Sequence, residues 1–238
     1  MQASKDMDIQ KKDISENTDS GRKKSGTHKM WLRAVAFAMV VLLLLVAAGK
    51  LCDPIRLGLQ DSVSERERYL LHLLSEPEDM VDVAVLGDSE SYTAVSAYQL
   101  WKDAGIASYI GGQSGQWIGE SYFCLKKILK RQSPKVLILE TNEFFSRGDA
   151  SVIRDAAKSA QEFARQMFPI LKYHRFWKME PADPKLQTTI FNGFELRAAV
   201  APYTGGAYMH ATDEKTPVTF ITRYYLEAIK DLCDTHGT

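Results

Sequence analysis

Hydrophobicity divides the chain into a polar start, one long apolar run, and an outer part where short apolar runs alternate with helical stripes. Met1 to Lys29 is polar, rich in Lys, Asp and Ser, with almost nothing to bury, so residues 1–29 are expected to form a disordered tail. From Met30 to Gly49 the composition inverts. Ala34 to Gly49 carries no charge and centres on Val40-Val41-Leu42-Leu43-Leu44-Leu45-Val46. With Met30, Trp31 and Leu32 this stretch reaches the roughly 20 residues that cross a bilayer, provided Arg33 snorkels to the interface. Arg22, Lys23, Lys24, Lys29 and Arg33 flank it with no acid among them, which predicts a cytoplasmic N-terminus and an extracytoplasmic remainder. The rival is a cleaved secretory signal ending at Ala47-Ala48-Gly49. The tail ahead of the span is long for a signal peptide and favours a retained anchor over residues 30–49.

Residues 50–80 lead away from that span. Ser64 is placed to cap a short helix with Glu67 three residues on, and Tyr69, Leu70, Leu73 and Leu74 give it an apolar face until Pro77 ends it. Val81 to Leu86 is a short, β-branched apolar run and predicts a buried strand. A helix is predicted over Thr93–Ala104, stopped by Gly105, then a strand over Ala107–Ile110. Trp117 to Arg131 has helical spacing, with Trp117, Ile118, Tyr122, Leu125, Ile128 and Leu129 on one face. Ser133-Pro134 breaks it, and Lys135 to Glu140 predicts a third strand, apolar on both faces. This alternation implies an α/β fold with a doubly wound, flavodoxin-like parallel sheet behind one transmembrane helix.

Ser151 to Phe168 reads as helix. Lys172 to Thr216 is irregular, with three prolines and Gly205-Gly206, the signature of an excursion over a functional face. The last helix is expected to be capped by Thr216 with Pro217 in its first turn. Its stripe is Val218, Ile221, Tyr225, Ala228, Ile229 and Leu232, and Asp234 to Gly237 should form the turn after it. A crossover helix needs a strand to return to, so the domain over residues 81–238 is expected to be incomplete at its C-terminus.

Charge narrows the function classes. Lys+Arg and Asp+Glu both number 30 in 238 residues, so there is no basic field for nucleic acid. Cys52, Cys124 and Cys233 have no metal-ligand spacing. Cys124 and Cys233 fall on apolar helix faces and read as core residues. Nothing in the sequence calls for a cofactor or a metal.

The candidate chemistry sits where the predicted strands end. Gly87-Asp88-Ser89 follows the first, Gly111-Gly112-Gln113-Ser114-Gly115-Gln116 the second, and Glu140-Thr141-Asn142-Glu143 the third. Parallel sheets gather reacting groups at the carboxyl ends of their strands, so Ser89 is a candidate nucleophile. By itself Gly-Asp-Ser reads more readily as a turn with a helix cap. The second and third loops add what a serine needs. A backbone N–H at Gly112 and the carboxamide of Asn142 are donors suited to a developing oxyanion, and glycine permits close approach.

This series resembles the SGNH (GDSL-type) hydrolase superfamily over about Val81 to Phe145. The resemblance implies that Ser89 is the nucleophile and that its own N–H, the Gly112 N–H and the Asn142 side chain form the oxyanion hole. The similarity is strongest to members with an N-terminal membrane anchor that work beside membrane-bound O-acyltransferases on cell-envelope polysaccharides, and Tyr173-His174-Arg175-Phe176-Trp177 also resembles that branch. It therefore implies an acylated glycan as substrate and a membrane-bound O-acyltransferase as partner. The family's fourth block is an Asp and a His three residues apart after a later strand. Asp234 and His236 are two apart and follow a helix, so they do not match, and the pair is expected beyond Thr238.

The remaining histidines have plainer readings. His28 lies in the tail and His72 on the leading helix. His174 is flanked by aromatics and reads as packed, and His210 lies in the long excursion. Asp88 is expected to fix the turn, while Tyr98, Trp101, Trp117 and Tyr122 are expected in the core. Two function classes follow: an extracytoplasmic serine esterase or O-acyltransferase, and a catalytically incomplete subunit that binds a glycan or an acyltransferase.

Overall fold

The computed structural model describes residues 28–58, 65–145, 151–173, 191–195, 204–206, 213 and 215–238. The chain separates into two units, 1–48 and 49–238, taken here one at a time. Helix α1, His28–Leu51, which makes up the described part of the first unit and ends three residues into the second, is long and apolar enough to cross a membrane. It begins at His28, so His28 and Lys29, expected in the tail, are helical. Residues 1–27 lie outside the described residues.

The second unit is mixed α/β. Strands β1 (Val83–Leu86), β2 (Ser108–Ile110) and β3 (Val136–Leu139) form a parallel sheet in the order β2-β1-β3. In register, Val83 faces Ser108 on one side and Val136 on the other. Around the sheet run α2 (Glu65–Ser75), α3 (Ser89–Ala94), α4 (Ala97–Ala104), α5 (Ile118–Ile128), α6 (Val152–Met167) and α7 (Phe220–His236). Alternation along β1 sorts the core into two clusters. Leu86 joins Leu73, Ile118, Leu125, Ile128 and Ile229 in the larger. Val85 joins Tyr92, Ala97 and Ile110 in the smaller. Leu86, Ile110, Ile118 and Ile128 are fully buried, each removing apolar surface worth about 1.5–3 kcal/mol.

Several boundaries and faces differ from expectation. The single helix predicted over Thr93–Ala104 is two. Asp88 starts α3 early by accepting the Glu90 N–H on its side chain at 2.9 Å, and Ser96 starts α4 by accepting the Gln99 N–H at 3.2 Å. Between them Val95 is extended, which suits a β-branched residue. Tyr98 and Trp101 are exposed rather than in the core, because Ala97 is the residue that α4 turns inward. Trp117 and Tyr122 do pack as expected, both against Tyr225 of α7. Helix α7 starts three residues later than predicted. Thr219, not Thr216, is the cap, accepting the Thr222 N–H at 3.1 Å while donating to Asp155 at 2.6 Å. Helix α7 also continues through Asp234 and His236 to Gly237, whose φ of 73° closes it, so the expected turn there is helix.

Strand β3 was expected to be covered on both faces. Leu137 and Leu139 pack on the larger cluster, but Val136 and Ile138 are exposed. Helix α6 has the opposite peculiarity: its polar residues Asp155 and Glu162 are buried, while Val152, Ile153, Phe163 and Met167 face outward. The two inward acids are paired. Asp155 accepts from Thr219, and Glu162 pairs with Lys172 at 2.9 Å. Lys172 also pairs with Glu67 of α2 at 2.7 Å, and the Tyr173 hydroxyl donates to Glu67 at 2.7 Å. Burial alone would raise the Glu67 carboxyl, but Lys172 and Lys127 outweigh it and hold it low. Ser64, His174, His210 and most of the 172–216 excursion lie outside the described residues.

Candidate functional site

Three loops meet at the carboxyl edge of the sheet, and backbone geometry forces them together. Past the last β1 residue, the Gly87 carbonyl accepts the Gln113 N–H at 3.1 Å, which ties the loop after β2 to the start of Asp88-Ser89. The approach leaves no room for side chains at two glycines. A Cβ on Gly112 would sit 2.2 Å from the Ser91 Oγ and 2.7 Å from the Gly87 carbonyl oxygen. A Cβ on Gly87 would sit 2.4 Å from the Glu140 Cβ. Both glycines are therefore steric requirements of the site.

The third loop is held by side chains. Asn142 Nδ2 donates to Asp88 Oδ2 at 2.8 Å, while Asp88 Oδ1 accepts the Glu90 N–H. Asp88 thus fixes the turn, as expected, and also grips the loop after β3. Glu140, the residue after β3, accepts the Asn142 N–H at 2.5 Å and the Asp88 N–H at 3.4 Å. Burial raises its carboxyl above the ordinary range despite those two donors. Ser89 opens α3 half-buried, and Gly112 is buried. Asn142 is exposed, so its loop is open to solvent. Of the three predicted site residues, Asn142 is joined to the Gly-Asp-Ser turn by a hydrogen bond, and Gly112 reaches it by packing on Gly87 and Ser91.

Beneath this edge lies a buried polar cluster that sequence reasoning passed over. Glu143 follows Asn142 in the short 3-10 turn Thr141–Phe144 and is 2% exposed. The Ser121 hydroxyl of α5 donates to its Oε2, and Gln116 Nε2 donates to that hydroxyl at 2.5 Å. Glu143 Oε1 and Gln116 Oε1 have no partner among the described residues. Burial, aided by the nearby Glu140 charge, pushes the Glu143 carboxyl up to about 8, against the weaker pull of the Ser121 bond. It is therefore protonated at neutral pH. Ser91, also buried, donates to the Asp88 carbonyl at 2.7 Å and forms the floor under Gly112. The sequence signal for both was weak. A glutamate beside an asparagine and a serine two residues past another serine look like ordinary turn chemistry.

Asp88, Glu90 and Glu140 each bring a carboxylate oxygen within 4.8 Å of the others, a set that could hold a cation. Asp88 and Glu140 are already engaged by backbone N–H groups and Asn142. Asp234 and His236 do not form a dyad. Asp234 pairs with Lys230 at 2.5 Å, and the His236 ring bonds the Leu232 carbonyl at 2.8 Å. Cys124 is buried with its thiol pushed up to about 12 by desolvation, as befits an inert core residue. Comparison with protein-family models, curated proteins and solved structures gives no match to this chain.

Proposed function

We propose that this chain is a membrane-anchored serine esterase or O-acyltransferase of the SGNH type, acting on O-acyl groups of an exported or cell-envelope polysaccharide. The observation that carries the reading is the Asn142–Asp88 hydrogen bond at 2.8 Å, which draws the third block onto the Gly-Asp-Ser turn. The Gly112 packing, too tight for any side chain, supports it from the second block. In this reading the sheet is the core of a doubly wound domain outside the cytoplasm, behind a retained single-pass anchor.

Ser89 Oγ attacks the acyl carbonyl and loses its proton to a base. The N–H groups of Ser89 and Gly112 and the Asn142 carboxamide receive the oxyanion, and the alcohol leaves with a proton. Asp88 serves as the orienting group that keeps Asn142 in place. Water or a sugar hydroxyl then releases the acyl group, which separates hydrolase from transferase. An acylated glycan is the substrate, and a membrane-bound O-acyltransferase is the partner that supplies the acyl group. The test is covalent labelling of the full chain by a fluorophosphonate probe. Labelling that is lost in Ser89→Ala but kept in Ser91→Ala supports the reading; equal labelling of wild type and Ser89→Ala overturns it.

A second reading is favoured by one observation. Asp234 and His236 are each bound elsewhere on α7, so they do not supply the base that an esterase needs. An anchored glycan- or acyltransferase-binding subunit built on the same shell fits that fact. It predicts glycan retention without labelling.

A further inference from the structure

Helix α6 is amphipathic in an inverted sense. Its polar face is turned onto the protein, where Asp155 and Glu162 are buried and paired. Its apolar face carries Val152, Ile153, Ala156, Ala160, Phe163 and Met167, all exposed. Ile153 is 84% exposed and Phe163 60%. Helical spacing aligns these six on one side for nearly the whole helix, which at 1.5 Å per residue is about 24 Å long. Leaving such a face in water is costly, and a continuous apolar stripe marks a contact surface.

What covers it is indicated by where it ends. The folded unit begins at Gly49, in the last turn of α1. Gly49 packs so closely on Pro169, two residues beyond α6, that an added Cβ would lie 2.9 Å from the proline Cδ. Gly49, Lys50 and Asp53 line one cavity with Arg165, Gln166 and Pro169. The C-terminal end of α6 therefore lies beside the first residues of the folded unit. Leu51, in the last turn of α1, and Leu171, two residues past Pro169, are also exposed. The stripe holds small and aliphatic side chains with a single aromatic. It lacks the Trp, Tyr and Arg anchors that dominate protein–protein contacts, and hydrocarbon demands no such shape.

We propose that the exposed face of α6 rests in the bilayer surface, with lipid as its occupant. A helix of this type lies in the membrane plane with its apolar side about 5–10 Å below the headgroups. It would hold the folded unit against the membrane, where the edge bearing Ser89 can meet a membrane-borne donor. The inference rests on the reading of α1 as a membrane anchor.

The test uses the full chain in vesicles of phosphatidylcholine and phosphatidylglycerol, with the photo-cross-linker p-benzoylphenylalanine in place of Ile153, Phe163 or, as a control, Tyr98 on α4. Lipid adducts several-fold more abundant at positions 153 and 163 than at 98 are expected. Adducts to a second copy of the chain, equal lipid adducts at all three positions, or no adduct at 153 and 163 would each overturn the proposal. Alkaline carbonate extraction of the same vesicles separates the premises. Release of the chain removes the anchor reading and this proposal with it. Retention without lipid adducts removes this proposal alone.

Discussion

Replacing Glu143 by glutamine should flatten the stability of this protein between mildly acidic and mildly alkaline pH. Its carboxyl stands at about 8 in the fold against an ordinary 4.5, because burial under the Asn142 loop outweighs the hydrogen bonds from Ser121 and Gln116. A raised carboxyl binds a proton in the folded state that the unfolded chain has already lost. Stability therefore falls as pH rises from about 4.5 to about 8, then levels off once both states are ionised. The window spans about 3.5 units, which at 1.36 kcal/mol per unit is about 5 kcal/mol. At 2% exposure, little of this is screened by solvent. Glutamine keeps an acceptor for Ser121 and cannot ionise. Chemical denaturation of both full-length proteins in detergent at pH 5, 7 and 8.5 makes the comparison, since other titrations cancel in the difference. Near pH 5 the two should be close. At pH 8.5 the variant should lead by about 3–5 kcal/mol, the lower figure allowing for relaxation around the charge. A difference that stays constant across pH would refute the reasoning and mean that Glu143 titrates like a surface acid.

Three further outcomes are expected. Gly112→Ala drives a methyl into the Ser91 hydroxyl and the Gly87 carbonyl and should cost about 1–3 kcal/mol in the same denaturation assay; an unchanged midpoint would show that the loops are looser than described. Lys172→Ala removes the cation that Glu67 and Glu162, with side chains 12% and 4% exposed, share, and leaves Glu162 with the longer Arg165 pair at 3.8 Å. A loss of about 3–5 kcal/mol is expected, and a loss below 1 kcal/mol would mean that water reaches the pair. If the esterase reading holds, Asn142→Ala should lower turnover of an acylated substrate by ~10²–10³ while leaving fold and membrane retention intact; turnover within a few-fold of wild type would remove Asn142 from the oxyanion hole.

How much was legible in advance depended on the range of the interaction. The three strands and their parallel order could be read because β-branched runs and turn residues act locally. The glycines after β1 and β2 could be singled out for the same reason, although their necessity comes from loops meeting in space: Gly87 against Glu140, and Gly112 against Ser91. The cap at Thr219 could not be chosen over Thr216 from local sequence, since both are threonines ahead of an apolar stripe. What distinguishes Thr219 is Asp155, 64 residues away, waiting for its hydroxyl. Tyr98 and Trp101 misled because their helical spacing marks a face without saying what lies opposite it.

Sequence alone determined the apolar span, the alternation of strand and helix, and which short loops carry a serine, a glycine and an asparagine, because each is written in neighbouring residues. Only the tertiary structure decided that Asp88 grips Asn142, that Glu143 is sunk beneath them, and that α6 turns its polar side inward. Periodicity gives a helix two faces but assigns neither to the interior. That choice belongs to distant partners, Thr219 and Lys172 for α6, whose hydrogen bonds and charges offset the cost of burying its acids.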